Sequence, residues 1–163
     1  MTITTDSLPN GINTCLDRLP DLCKVQYGER LVSLVVFGSV GRGTPRPDSD
    51  IDLLLVIRDL PAGRIARVRE FAAIEAALGA ESGSRVELSP VFKSPEELTQ
   101  GSLLLLDMLD DARILYDQDD FFKNYLRDLS ARLQKLGARR IWRGDTWYWD
   151  LKPDYVRGEV FEV

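Results

Sequence analysis

The chain has 163 residues, 44% hydrophobic and 29% charged, the make-up of a globular protein with enough material for a real core. Its 26 acidic and 21 basic residues give a net charge of −5, so direct nucleic-acid binding, which needs a basic footprint against phosphates, is not expected. There is no histidine, which removes Ser-His-Asp chemistry, Cys-His chemistry and histidine-ligated zinc.

Cys15 and Cys23, the only cysteines, lack C-x-x-C spacing and read as core residues. No apolar run approaches the ~20 residues of a membrane span, and the first ten residues lack the layout of a secretion signal. A cytoplasmic protein with no membrane association is expected.

Leu8, Ile12, Leu16, Leu19 and Leu22 recur at helical spacing between Asp6 and about Tyr27, with Pro20 expected to break the helix. Leu31 to Phe37 is a short apolar run rich in β-branched residues, the pattern of a strand covered on both faces. Gly38 to Asp48 carries three glycines and two prolines and reads as a turn region. Asp50 to Ile57 reads as a second buried strand, entered by carboxylates.

A helix is expected over Gly63 to Leu78, with Ile65, Val68, Phe71, Ala72, Ile74 and Leu78 on its apolar face. Arg85 to Phe92 is a third strand candidate. Ser94-Pro95-Glu96-Glu97 is a helix start, with a capping serine, proline at the first helical position and acids in the first turn; that helix should reach about Met108.

Ile114 to Tyr116 reads as extended. Phe121 to Ile141 reads as a helix, and the tail from Trp142 as irregular. Arg132, Lys135, Arg139, Arg140 and Arg143 form a basic stripe at helical spacing: either a solvated face or a contact for triphosphate or an acidic partner. Trp142, Trp147, Tyr148 and Trp149 read as core lids, with nucleobase or partner contact as the other reading. No linker divides the chain. A single domain over 1–163 is expected, with a catalytic core at about 28–93 and a helical extension and tail at about 94–163.

The chemistry concentrates between Phe37 and Asp52. A tight Gly38-Ser39 turn after a buried strand lets a phosphate approach the backbone, and the residues after it can open a short helix whose amides face an anion. Asp50 and Asp52, at i and i+2 of the following strand, project from one face. Two carboxylates side by side repel unless a cation lies between them, and a hard divalent ion with oxygen ligands is the usual solution. Glu87 stands in an otherwise strand-like stretch, where a buried lone carboxylate needs a partner such as a metal; it is the candidate third ligand. The G-x-G-x-x-G order of a dinucleotide fold and the G-K-[S/T] of a P-loop are both absent.

Gly38-Ser39, ten residues, then Asp50-Ile51-Asp52 resembles the signature of the polymerase-β-type nucleotidyltransferase superfamily, and Arg42-Gly43 fits its G-S-x-x-R-G opening. The chain length is similar to that of the minimal nucleotidyltransferases, many of which are antitoxin partners of separately encoded HEPN-domain RNase toxins. The resemblance implies an α/β (α+β) fold, a small mixed β-sheet flanked by helices with a C-terminal helical tail.

It further implies that Gly38, Ser39 and Arg42 bind the nucleotide, and that Asp50 and Asp52 bind two Mg²⁺ ions. Glu87 would bind the metal that activates the incoming hydroxyl, although the superfamily often has aspartate there. The implied reaction moves an NMP unit, AMP from ATP, onto a hydroxyl, such as a tyrosine of the HEPN toxin. The general base stays open among Glu87, Asp52 and solvent. Transfer to a small molecule of antibiotic type and non-catalytic toxin binding are the alternatives. The oligomeric state, a homo-oligomer included, stays open.

Overall fold

The structure is a computed structural model that describes residues 10–82 and 86–163. The chain divides into two compact units, Met1–Phe121 and Phe122–Val163.

In the first unit, α1 (Asn10–Tyr27) leads through a 3₁₀ turn into β1 (Leu31–Phe37). A short α2 (Gly38–Gly41) follows, then β2 (Ile51–Ile57), α3 (Arg64–Ser82), β3 (Leu88–Lys93), α4 (Pro95–Thr99), α5 (Leu103–Asp111) and β4 (Arg113–Asp117). The four strands form a mixed sheet in the order β3-β2-β1-β4. β1 runs antiparallel to both β2 and β4, whereas β2 and β3 are parallel.

The expected strands 31–37 and 50–57 are the two central ones, the second starting at Ile51, and their near-continuous apolar sequences follow from burial on both faces. On one face Leu34, Val36, Leu53, Leu55 and Ile57 pack with Ile12, Leu16, Leu19 and Tyr27 of α1 and with Phe71, Ile74 and Leu78 of α3. Each such side chain contributes about 1.5–3 kcal/mol relative to exposure. Cys15 and Cys23 are free thiols in this layer, as expected, and burial pushes them up to about 11 and about 12. Leu54 and Val56 point to the opposite face and are just as fully buried. Asp52 shares that face by alternation.

Several local expectations are corrected. Among the described residues of the first helix, α1 runs unbroken through Pro20; residues 6–9 lie outside the described part. α3 turns its sides differently from the expected face: Phe71, Ile74 and Leu78 are buried, but Ile65 is 76% exposed and Val68 40%. The half-buried Arg67 takes the inward place instead, because it reaches Glu97. The third strand starts at Leu88, with Val86 and Glu87 in no regular element before it and Arg85 outside the described residues.

Ser94 does cap α4, in a full capping box with Glu97. The helix does not continue to Met108, however. Gly101, at φ +78°, breaks it, and Ser102 caps a second helix, α5.

The second unit begins with α6 (Phe121–Leu136), which buries Phe122, Leu129 and Leu133. Gly137, at φ +68°, ends it. The tail is irregular only in part: β5 (Arg139–Arg143) and β6 (Thr146–Asp150) form an antiparallel hairpin, and residues 151–163 after it carry no helix or strand. The expected basic helical stripe is therefore split between a helix and a strand. Arg140 lies 4.0 Å from the Trp147 ring centre and 4.9 Å from that of Trp142, and Trp142 itself is exposed. No helix among the described residues is long and apolar enough to cross a membrane.

Candidate functional site

β1 and β2 are antiparallel neighbours, so the turn leaving β1 returns beside the entry of β2. Phe37 pairs with Asp52, which sets Asp52 next to Gly38. Gly38 adopts φ +66°, a conformation open to glycine at little cost, and any Cβ there would overlap Asp52 Oδ2. Position 38 is thus fixed as glycine twice, by its backbone and by the carboxylate against it. The chain then makes one helical turn: the Arg42 N–H donates to Gly38 O at 3.0 Å and the Thr44 N–H to Ser39 O at 2.9 Å. The Ser39 side chain sits within this turn, half-buried.

Asp50 and Asp52 flank Ile51 and are both half-buried. Burial raises the Asp52 carboxyl above its ordinary range, the charge of Asp50 raises it further, and the nearby Arg42 guanidinium lowers it. A repelled pair of acids with one carboxyl hard to ionise is a site suited to a hard divalent cation, so the residues present fit Mg²⁺.

Glu87 behaves differently from expectation. It lies just before β3 and is exposed, so the desolvation argument for a buried lone acid does not apply to it. Its carbonyl accepts from the Ile51 N–H at 2.9 Å, which puts it one register step from the Ile51–Leu88 pair and alongside Asp50. Among the described residues no three acids are gathered closely enough to hold a metal.

The side chain that does meet the pair is Ser89. It lies in register with Asp52, and its hydroxyl makes a short hydrogen bond to Asp50 Oδ2. Sequence reasoning missed Ser89 because serine is common in strands and its register appears only when β3 is laid against β2.

Arg42, the last of the expected nucleotide contacts, forms an ion pair through Nη1 with Asp111 Oδ2 at 3.1 Å. Asp111 is the last residue of α5, with a side chain only 9% exposed. The α5 end also touches the turn by backbone: a Cβ on Gly41 would overlap Asp111 O and lie 3.0 Å from Val36 O. The sequence carried no sign of Asp111, which lies 69 residues beyond Arg42.

A glycine turn suited to phosphate, set against a pair of carboxylates at the entry of β2, is the arrangement of a nucleotidyltransferase. Residues 16–115 match the nucleotidyltransferase domain family, and the chain belongs to it.

Among curated proteins, the chain is 33% identical over 127 residues to a Methanocaldococcus jannaschii protein named "Putative protein adenylyltransferase MJ1305", covering 77% of this chain and 85% of that one. It is 31% identical over 136 residues to the bifunctional uridylyltransferase/uridylyl-removing enzyme of Vibrio campbellii, but spans only 15% of that protein's length. Among solved structures, a chain of a toxin–antitoxin crystallised with AMP-PNP shares the fold, with a TM-score of 0.53 at 20% identity over 74% of this chain and 88% of that one.

Proposed function

We propose that this chain transfers AMP from ATP, with Mg²⁺, to a hydroxyl acceptor, and that the acceptor is a tyrosine of a separately encoded HEPN-domain toxin. The observation that carries the reading is the contact of Gly38 with Asp52: phosphate-binding backbone and metal-binding carboxylate are adjacent, as nucleotidyl transfer requires. The adenylyl specificity draws on the relative named for protein adenylyl transfer, and the partner on the likeness to a toxin–antitoxin chain.

In this reading Gly38, Ser39 and Arg42 bind and orient the triphosphate. Asp50 and Asp52 hold two Mg²⁺ ions, with Glu87 as a third ligand reached when the site is loaded. When bound, the metal supplies charge stabilisation for the attacking and leaving oxygens. The acceptor oxygen bonds to the α-phosphorus, the bond from that phosphorus to the bridging oxygen breaks, and pyrophosphate leaves. The hydroxyl proton passes to Asp52, Glu87 or solvent.

The test is incubation with α-³²P-labelled ATP and Mg²⁺ in a lysate of the source organism, comparing wild type with the Asp50→Asn/Asp52→Asn double variant. A protein band labelled only by wild type, of the mass of a HEPN protein encoded beside it, is expected. Equal labelling by both would overturn the site, and no labelled protein would overturn the protein acceptor.

A further inference from the structure

The end of α5 carries an acid where two local rules disfavour one. Asp111 is the helix's final residue, where the partial negative charge of the helix end repels a carboxylate, and its side chain is almost fully buried. Asp110 beside it adds like charge. An acid kept in such a place needs a compensating cation, and the structure supplies Arg42 at 3.1 Å.

Arg42 is no incidental partner. It is the residue that closes the phosphate-binding turn, and its charge is felt at Asp52. The guanidinium pairs with Asp111 on the α5 side, and it springs from a turn whose Gly38 lies against the Asp52 carboxylate. Left without Asp111, it would be drawn toward the Asp50–Asp52 pair, because opposite charges at short range in a partly desolvated site attract strongly. Backbone packing fixes the same junction, since Gly41 has no room for a side chain against Asp111 O.

We propose that Asp111 is a positioning residue for the nucleotide site: it holds Arg42 off the catalytic carboxylates, with its charge directed to the triphosphate of an incoming nucleotide. The α5 end is in this way part of the nucleotide-binding apparatus although it touches no substrate. The inference rests on the nucleotidyltransferase reading above and adds to it a residue outside the glycine–serine and Asp-x-Asp signature.

The experiment is a double-variant cycle read by Mg·ATP binding, using the full chain and isothermal titration, with steady-state kinetics and melting temperature alongside. Asp111→Asn is expected to weaken Mg·ATP binding about tenfold, equivalent to about 1.4 kcal/mol, with kcat changed much less. Asp111→Glu, which keeps the charge, is expected to recover most of that loss. In an Arg42→Ala background, Asp111→Asn should have no further effect on binding, because the residue it acts through is gone.

A merely structural Asp111 would lower the melting temperature without changing nucleotide affinity, and that result overturns the proposal. An equal loss of affinity with and without Arg42 also overturns it. Should Asp111→Asn not fold, Arg42→Lys takes its place: it keeps the charge but loses the planar fork that Asp111 orients, and unchanged affinity there overturns the proposal. Failure of the wild type itself to bind Mg·ATP would sink the functional reading as a whole, whereas wild-type binding with no Asp111 effect sinks this inference alone.

Discussion

Two arginine–carboxylate pairs join helices in the first unit, and they are built differently. Arg67 of α3 meets Glu97 of α4 as a two-pronged fork, with Nη1 to Oε2 at 2.8 Å and Nη2 to Oε1 at 2.6 Å. Arg67 also donates through Nε to Pro61 O at 2.9 Å, and Glu97 closes the capping box on the Ser94 N–H. Arg42 meets Asp111 through Nη1 at 3.1 Å, and its charge lowers the Asp52 carboxyl. The first pair has matched geometry and backbone support, the properties of a strut. The second ties the end of α5 to the glycine turn, where Gly38 lies against Asp52. What each pair is anchored to, more than mere proximity, separates the two: a helix cap in the first, the glycine turn in the second.

The sharpest break in that comparison is at the site. Gly38→Ala forces a methyl onto the Asp52 carboxylate from a positive-φ backbone. We expect nucleotidyl transfer to fall by at least about a hundredfold from misplaced groups and stability to drop by about 1–3 kcal/mol. Labelled-AMP transfer and urea unfolding measure the two. Activity within threefold of wild type would show that the turn does not hold the nucleotide.

At the strut the effect is on stability alone. Arg67 holds the Glu97 carboxyl at about 2, against an ordinary 4.5. A depressed acid stabilises the fold fully above its unfolded value, and that contribution is lost as pH falls from about 4.5 toward 2. With the Glu97 side chain 34% exposed, solvent screening reduces the contribution to about 1–2 kcal/mol. Glu97→Gln should lose that amount at pH 7, show a flatter pH dependence between 4.5 and 2, and leave transfer activity intact. Urea midpoints at pH 7 and at pH 3 decide it: parallel losses in wild type and variant would place the acid sensitivity elsewhere.

The smallest expected effect is at Ser89. Ser89→Ala removes the hydrogen bond to Asp50 and, on the proposed metal-ligand role of Asp50, should lower kcat/KM about three- to tenfold with little change in melting temperature. Ser89→Thr, which keeps the hydroxyl, should lose less. Equal losses in both would assign Ser89 to packing.

What could be read from the sequence follows from the range of each signal. The central strands were legible because burial on both faces writes a continuous apolar run, and the glycine turn and Asp-x-Asp because the antiparallel β1–β2 pair brings their fifteen-residue segment together locally. The α3 face was misread because an inward Arg67 is explained only by Glu97, thirty residues further on. The helix after Phe121 was extended too far because basic residues continue across Gly137, while the switch from a period of 3.6 to one of 2 lies in a run of only five residues. Ser89 and Asp111 were invisible for one shared reason: their meaning depends on which distant residue stands opposite them.

The antiparallel pairing of β1 with β2 has a consequence for how this chemistry is assembled. Gly38, Ser39, Arg42, Asp50 and Asp52, the residues of the proposed site, lie on one uninterrupted stretch between two neighbouring strands, so a local pairing brings them together. The first parts of the proposed reaction thus sit on one strand–turn–strand segment, and Ser89 and Asp111 join them from β3 and α5.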